Sequence, residues 1–231
     1  MPESKYRAKV DSVAPQSARM SFEQFESCFL GVSLENKNFT PEKLKALAEW
    51  ISRRFKYCVV LVGDSIHRIT LETTKSVKPE ISLIEGLKMG SSFIEENENI
   101  FHDFPGKTQF TFETCSQIQE SEDYKQFYQY LRDFFESDPN FRSSVESFGR
   151  KYHSRKTTNL DDILLKERIR RSCEYFLEEF AIFACLQKRG LSVMVYPGTF
   201  STLTEIVNGE YPYLFKEIKE LIVVSLHFKT R

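Results

Sequence analysis

The sequence lacks the motifs that mark the common hydrolases, nucleotide-binding proteins and metalloenzymes. It has no Walker A, GxGxxG or HExxH pattern, and GVSLE around Ser33 lacks the second glycine of a GxSxG nucleophile elbow. The four histidines are scattered, at His67, His102, His153 and His227. No motif therefore supports a serine hydrolase with a histidine base, or metal-assisted hydrolysis.

Cysteine spacing and hydropathy exclude further classes. The five cysteines are an odd number without CxxC or CxxH spacing, so buried free thiols explain them better than disulfides or zinc. No apolar run approaches the length of a membrane span, and the N-terminus lacks the apolar core of a signal peptide. We expect a cytoplasmic monomer with no membrane partner. The cysteines are Cys28, Cys58, Cys115, Cys173 and Cys185.

Charge and composition indicate a globular protein that does not bind nucleic acids through a general positive charge. The chain has 231 residues, 41% of them hydrophobic and 21 of them Phe, so it can bury a substantial core. The formal net charge is −1, which gives no reason to expect a DNA partner and means that any RNA contact must come from local basic patches. We interpret residues 1–20 as a loosely held polar arm and residues 21–231 as one domain.

The first half of that domain opens with a strand, a helix and a second strand. Cys28 to Val32 is an apolar run without helical period that ends on Ser33. Thr40-Pro41 opens a helix that ends near Arg54, and residues 57–62 form a continuous β-rich run, as expected for a central strand. Such a unit is right-handed and makes a parallel pair.

Further patterns complete an α/β fold. We predict a Rossmann-like domain of about five mostly parallel strands with helices on both faces. The remaining predicted strands are 109–113, 192–195 and 221–226, and the remaining predicted helices are about 79–97, 123–135, 138–148, 159–187 and 212–219.

Polar groups follow strands where ligands bind in such folds. Ser33 ends the first strand and Tyr196 follows a later one, and ligands of parallel α/β sheets bind at the carboxyl ends of strands. In the predicted long helix, Glu178 and Glu179 lie in an apolar half, and Tyr175 shares a face with Glu179. A buried carboxylate is costly unless it is paired, protonated or aimed into a polar cavity. The alternatives are an ordinary turn serine and one solvent-facing glutamate.

These residues carry a resemblance to a known family. Gly31-Val-Ser33, Gly63-Asp-Ser-Ile-His-Arg68, Tyr175-x-x-x-Glu179 and Tyr196-Pro197 occur in the order and at the separations of the tRNA-dependent cyclodipeptide synthases. The resemblance spans roughly residues 25–226. It implies a catalytic domain similar to that of class I aminoacyl-tRNA synthetases that takes two already charged tRNAs and needs no ATP or other cofactor.

The resemblance also implies a role for each catalytic residue. Ser33 would attack the ester of a first aminoacyl-tRNA and hold the aminoacyl group. Tyr175 and Glu179 would bind its α-amino group, and Glu179 would accept a proton when the amine of the second aminoacyl-tRNA attacks. Tyr196 would position Ser33 or relay its proton, and the dipeptidyl ester would close to a cyclic dipeptide.

Substrate-binding residues are less sharply indicated. Gly31 would allow close approach of the aminoacyl group, and Asn36, which lies three residues after the serine, marks one family subgroup. Pro197 marks the other subgroup, which we favour, and Asn36 receives no firm role. The candidate pocket residues are Phe29, Leu30, Val62, Ile182 and Met194.

The basic helix by which better-known members grip tRNA is missing. The helix at 80–97 offers Lys88 against several glutamates. Phosphate contacts need clustered cations, so the tRNA would bind elsewhere. The alternative is a solvated helix face with Glu167 interleaved. The candidates are Arg150, Lys151, Arg155, Lys156, Lys166, Arg168, Arg170 and Arg171.

Two other functions stay open from the sequence. One is a non-catalytic RNA-binding relative of a synthetase fold, in which Ser33 is a turn residue. The other is a serine esterase or acyltransferase on small thioesters. The pairing of Tyr175 with Glu179 and the missing histidine motif favour the synthase over the esterase.

Overall fold

The chain forms one six-stranded sheet. The computed structural model describes residues 5–102, 104, 107–154 and 162–231. The strands lie in the order β1-β6-β5-β2-β3-β4; β2 to β6 are parallel, and β1 is antiparallel beside β6. This confirms the predicted α/β, Rossmann-like fold. The strands are β1 Tyr6–Ala14, β2 Ser27–Val32, β3 Tyr57–Val62, β4 Gln109–Thr114, β5 Val193–Tyr196 and β6 Ile222–Thr230.

Nine helices occur in the part of the chain that the structure describes, besides short 3₁₀ turns. The predicted long helix begins at Asp162, and Asn159 lies outside the described residues. The sequence did not indicate α2, α4 or α8. They are α1 Pro41–Ser52, α2 His67–Lys75, α3 Pro79–His102, α4 Cys115–Gln119, α5 Glu122–Ser137, α6 Pro139–Ser154, α7 Asp162–Lys188, α8 Ser201–Val207 and α9 Lys216–Lys219.

The edge strand β1 corrects the expectation of a loosely held arm. Its pairing with β6 runs from Tyr6 opposite Thr230 to Ala14 opposite Val223, with one irregularity. Ala8 and Val13 are buried, while most other side chains of the strand are wholly or partly exposed. Polar residues are typical of an edge strand. In the sequence alone, such a polar segment resembles a loosely held arm, because its partner strand is not evident.

Helices cover both faces of the sheet and give two core clusters. On one face, Leu30 of β2 and Val60 of β3 pack in the cluster of α1. On the other face, Phe29 of β2 and Met194 of β5 pack in the cluster of α7. Successive strand residues point to opposite faces, so this alternation decides which side chains can reach a site beside α7.

The sheet topology places a switch point between β2 and β5. From β2 the chain proceeds to β3 and β4 on one side, whereas β5 and β6 lie on the other side. Pairing of β2 with β5 comprises Phe29 with Met194 and Leu30 with Val195, so the strand ends beyond are not held together by the ladder. Such a topological switch point is where ligands bind in open α/β sheets.

The first half of helix α3 packs through small residues, whereas its second half buries Phe101 in the core. A Cβ added at Gly90 would lie 2.5 Å from the Asp64 Cβ, and one at Gly86 would lie 2.7 Å from the Asp64 carbonyl oxygen. The apolar residues Ile81 and Ile84, whose spacing indicated the helix, are 47% and 67% exposed. The two glycines that weakened the prediction of a helix therefore allow α3 to contact the turn after β3.

Two further expectations can be compared with the structure. All five cysteines are free and buried, which confirms the interpretation as buried thiols. Within the described ranges, no helix combines the length and the apolar character that crossing a bilayer requires.

Candidate active site

The hydroxyl of Ser33 lies against two side chains at the switch point. Ser33 Oγ is 3.0 Å from the Tyr196 hydroxyl, and Asn36 Nδ2 donates to the same hydroxyl at 3.3 Å. Burial raises the pKa of Tyr196 to about 12, although its hydrogen bond to Ser33 acts in the opposite direction. The phenol therefore keeps its proton at neutral pH, and it can donate to or accept from Ser33.

The loop after β2 is fixed on two sides. Asn38 donates its side-chain amide to the Pro197 carbonyl at 2.7 Å, and the Asn36 side-chain oxygen accepts the Asn38 backbone N–H at 3.0 Å. Glu35, with a φ of 58°, contacts His67 Nε2 at 3.3 Å and Lys75. The hydrogen bond from Lys75 lowers the pKa of Glu35. Sequence reasoning missed these anchors because their partners are distant along the chain.

Helix α7 brings Tyr175 and Glu179 to the same place. Burial, and then the charge of Glu179, raise the pKa of Tyr175 well above its usual value, while a hydrogen bond to Ser33 counteracts them. Burial alone raises the pKa of Glu179 to about 8. Among the described residues, Glu179 Oε2 has no hydrogen-bond partner. The site thus contains a buried carboxyl group whose second oxygen is open to a donor.

The neighbouring Glu178 has a different environment. Both glutamates are buried, at 3% and 7% exposure, so the alternative in which one faces solvent is wrong. Arg68 of α2 donates to both oxygens of Glu178, to Oε2 at 2.9 Å, and Gln119 Nε2 donates at 2.9 Å. Arg68 closes the Gly63–Arg68 motif, and that motif was the only signal for this pair in the sequence.

The candidate pocket residues divide between the two faces of the sheet. Phe29, Ile182 and Met194 are buried in the cluster of α7. Leu30 packs on the opposite face, and Val62 shares the face of Val60 by alternation, so these two candidates do not lie on the face covered by α7. Met194 also lies beside Gly31.

Gly31 borders the site closely. A Cβ added at Gly31 would lie 3.5 Å from the Tyr196 ring and 3.7 Å from Met194, which are ordinary contact distances. A side chain at this position would occupy the space beside the Tyr196 ring and Met194 rather than disturb the backbone. The glycine thus keeps this space open beside the serine.

The candidate tRNA-binding residues lie on α6 and α7 where they can be described. The two helices pack together there, since a Cβ at Gly149 would lie 3.5 Å from Ile169. Lys151, Lys166 and Arg170 are exposed. Arg155 and Lys156 lie outside the described residues.

The other basic candidates are partly engaged. Arg150 is exposed but pairs with Glu146 at 2.7 Å. Arg168 is half-buried, and Arg171 is engaged by Glu72 at 2.7 Å and by Glu174. Arg171 is therefore a structural residue more than a free phosphate ligand.

Fold and candidate site together define an α/β protein with a cluster of polar side chains at a topological switch point. A family model described as cyclodipeptide synthase matches residues 9–217. The chain belongs to this family, as its motifs indicated, and is therefore an aminoacyltransferase that makes cyclic dipeptides from aminoacyl-tRNAs.

Solved structures show the same fold at low sequence identity. A cyclodipeptide synthase from Fluoribacter dumoffii is 19% identical, with a TM-score of 0.82 over 98% of this chain and 99% of that one. A protein from Mycobacterium tuberculosis, described as demonstrating the relation of cyclodipeptide synthetases to type I tRNA synthetases, is 13% identical, with a TM-score of 0.72 over 100% and 96%.

A third structure includes a nucleic acid. It is a synthase from Candidatus Glomeribacter gigasporarum bound to Phe-tRNAPhe, 14% identical, with a TM-score of 0.66 over 89% of this chain and 88% of that one. A comparison with curated proteins gave no match.

Proposed function

We propose that Ser33 is the nucleophile of a ping-pong reaction that consumes two aminoacyl-tRNAs without ATP. Ser33 Oγ forms a bond to the aminoacyl carbonyl carbon, the ester bond to the tRNA ribose breaks, and the serine proton passes to the ribose oxygen. The hydrogen bond of 3.0 Å between Ser33 and Tyr196 supports a relay through that phenol. An aminoacyl ester is already activated, so the serine needs no histidine base.

The observation that carries this proposal is the open oxygen of the buried Glu179. A carboxyl group without a partner is costly to bury, and the α-amino group of an aminoacyl moiety supplies the missing donor. Tyr175 lies on the same face of α7 and within reach of Ser33. Together they bind the amino end of the substrate while Ser33 holds the carbonyl end.

Atom balance fixes the order of the second step. If the amine of the second aminoacyl-tRNA attacked the ester on Ser33, the dipeptide would leave on that tRNA. For a dipeptidyl ester to remain on Ser33, the amine of the bound aminoacyl group must attack the second tRNA ester. The charge of the bound ammonium favours the ionised form of Glu179, which then accepts the proton released as this amide bond forms. The free amine then attacks the Ser33 ester, which closes the ring and restores the serine.

Ser33→Ala tests the covalent step, and Ser27→Ala, at the start of the strand that Ser33 follows, is the matched control. We expect cyclic dipeptides from cells that produce the wild type or Ser27→Ala, and none from Ser33→Ala. With one purified aminoacyl-tRNA, intact-mass spectrometry should show an aminoacyl adduct on the first two proteins only. An adduct on Ser33→Ala would refute the assignment.

We also propose that the tRNA binds along the basic half of α7. Lys166 and Arg170 lie 13 and 9 residues before Glu179, which places them about 20 and 14 Å away along the helix axis. That separation suits phosphates of the single-stranded 3′ end when the esterified terminus is at Ser33. Helix α3 offers Lys88 beside several exposed glutamates, so its charge is unsuitable.

The salt dependence of binding tests this surface. Each phosphate contact contributes about 0.7–0.9 to the slope of log K against log salt concentration. Lys166→Ala/Arg170→Ala should therefore lower the slope by about 1.5. Lys78→Ala/Lys88→Ala removes the same charge at α3 and should leave the slope unchanged. A larger effect from the α3 variant would place the tRNA there instead.

A further inference from the structure

The adjacent glutamates Glu178 and Glu179 of α7 have different environments, because Arg68 pairs with Glu178 and not with Glu179. Arg68 and Gln119 donate hydrogen bonds to the Glu178 carboxylate, whereas Glu179 Oε2 has no hydrogen-bond partner among the described residues. Consecutive helix residues are about 100° apart, so the roll of α7 about its axis decides which glutamate meets the guanidinium. The site proposed above requires that it be Glu178.

A second ion pair fixes this roll. Arg68 and Glu72 are four residues apart on one face of α2, and Arg171 and Glu178 are seven apart on one face of α7. Arg68 pairs with Glu178, and Glu72 pairs with Arg171 at 2.7 Å. A roll of one residue would present Glu179 to Arg68 and replace Arg171 by Ser172 opposite Glu72. Both pairs therefore oppose it.

Arg68 is also tied to the turn that supports the nucleophile loop. Its guanidinium donates to the Ser65 carbonyl at 2.9 Å, and the Ser65 hydroxyl donates to Gln119 at 2.6 Å. In the same turn, the Gly63 N–H donates to the carbonyl of Val32, the residue before Ser33, at 3.0 Å. A chain of direct contacts thus connects the Ser33 loop to Glu178, one residue from Glu179.

We propose that Arg68 is a positioning residue for the transfer reaction: by binding Glu178 it sets the roll of α7 that leaves Glu179 and Tyr175 facing Ser33. This inference rests on the proposed roles of those three residues. Arg68 does not touch the substrate in this scheme. Its effect is to keep the guanidinium of Arg68 away from the carboxyl group that receives the α-amino group.

The first test removes both charges together. Arg68→Met/Glu178→Met leaves no unpaired buried charge, and such replacements often preserve stability. We expect a folded protein by circular dichroism, with the rate constant of Ser33 acylation reduced about 100-fold and KM little changed, as for a displaced catalytic group. Arg189→Met/Glu113→Met removes a similar two-point ion pair remote from the site and is the control. Acylation within about threefold of wild type by the folded Arg68→Met/Glu178→Met variant would overturn the proposal.

The second test keeps the shape of the side chain. In Glu178→Gln, the adjacent Glu179 is the carboxylate with which Arg68 can pair. We therefore expect weaker binding of the α-amino group. We compare acylation from aminoacyl-tRNA with that from α-hydroxyacyl-tRNA, whose amine is replaced by hydroxyl. The preference for the amine should fall about tenfold or more relative to wild type. If Glu178→Gln kept the wild-type preference for the amine, the proposal would be overturned. This test can be read even if Arg68→Met/Glu178→Met does not fold. Wild-type acylation, read in the same assay, reports on the proposed function separately.

Discussion

Substitution of Gly90 by alanine tests whether α3 contacts the turn after β3 as closely as the structure shows. Helix propensity alone predicts a gain, because alanine is favoured over glycine by about 1 kcal/mol inside a helix. The structure predicts the reverse. The new Cβ would lie 2.5 Å from the Cβ of Asp64, which is buried and accepts two hydrogen bonds from Ser116, from its N–H at 2.9 Å and from its hydroxyl at 2.5 Å.

The magnitude follows from the two opposing contributions. Overpacking a tight core costs about 1–3 kcal/mol, and a clash this close to a fixed residue belongs at the upper end. Subtracting the propensity gain of about 1 kcal/mol leaves a net loss of about 2 kcal/mol. For a chain of this size that corresponds to a fall in Tm of about 4–8 °C.

The matched control is Gly149 in α6. A Cβ there would meet Ile169 at 3.5 Å, an ordinary contact, so Gly149→Ala should keep the propensity gain and raise Tm by about 2–4 °C. Thermal and urea unfolding of both variants measure the difference. If Gly90→Ala were as stable as Gly149→Ala, the close packing of α3 on Asp64 would be refuted.

Two other predictions concern the site. The raised pKa of Glu179 means that the folded state holds its proton more tightly than the unfolded state, so the stability it contributes is complete below about pH 4.5 and is lost as pH rises through about 8. The free energy of unfolding of Glu179→Gln, measured with urea, should therefore match that of wild type at pH 4.5 and exceed it at pH 9 by an amount on the order of 4 kcal/mol. Equal stability of the two proteins at both pH values would contradict the burial of this carboxyl group. Asn36→Ala loses one hydrogen bond to Tyr196, and we expect Ser33 acylation in single-turnover assays to slow about 3–10-fold, whereas Tyr196→Phe should slow it about 100-fold or more. An Asn36→Ala variant as slow as Tyr196→Phe would show that the amide does more than hold the phenol.

The central strands could be predicted because burial on both faces leaves a continuous apolar run. Cys28 to Val32 and residues 57–62 are such runs, and the structure pairs them along their whole length. The edge strand β1 has no such run, and its partner β6 lies more than 200 residues away. Helices α2, α4 and α8 are nine residues or fewer, too short for a periodic pattern to stand out.

The site shows a similar division. Ser33 and Tyr196 could be placed because both lie at the carboxyl ends of strands, and Glu179 because a carboxylate interrupted an apolar helix. The environments of Glu178 and Glu179 could not be distinguished from the sequence, since Arg68, which separates them, lies 110 residues before Glu178. The exposed Ile84 shows the opposite failure. Its helical spacing was correct, but small residues formed the buried face instead.

The pairing of β1 with β6 has a consequence for the order in which the enzyme assembles. Tyr6 emerges from the ribosome early, yet its partner Thr230 is synthesised more than 200 residues later. β6 also pairs with β5, whose last residue, Tyr196, touches Ser33. The pairing of β1 with β6 therefore forms only after both of these distant strands have been synthesised, and such long-range closure is slow. A nascent chain in which β6 has not yet been synthesised contains Ser33 but leaves β5 as an open edge, so the strand that carries Tyr196 is then paired with β2 alone.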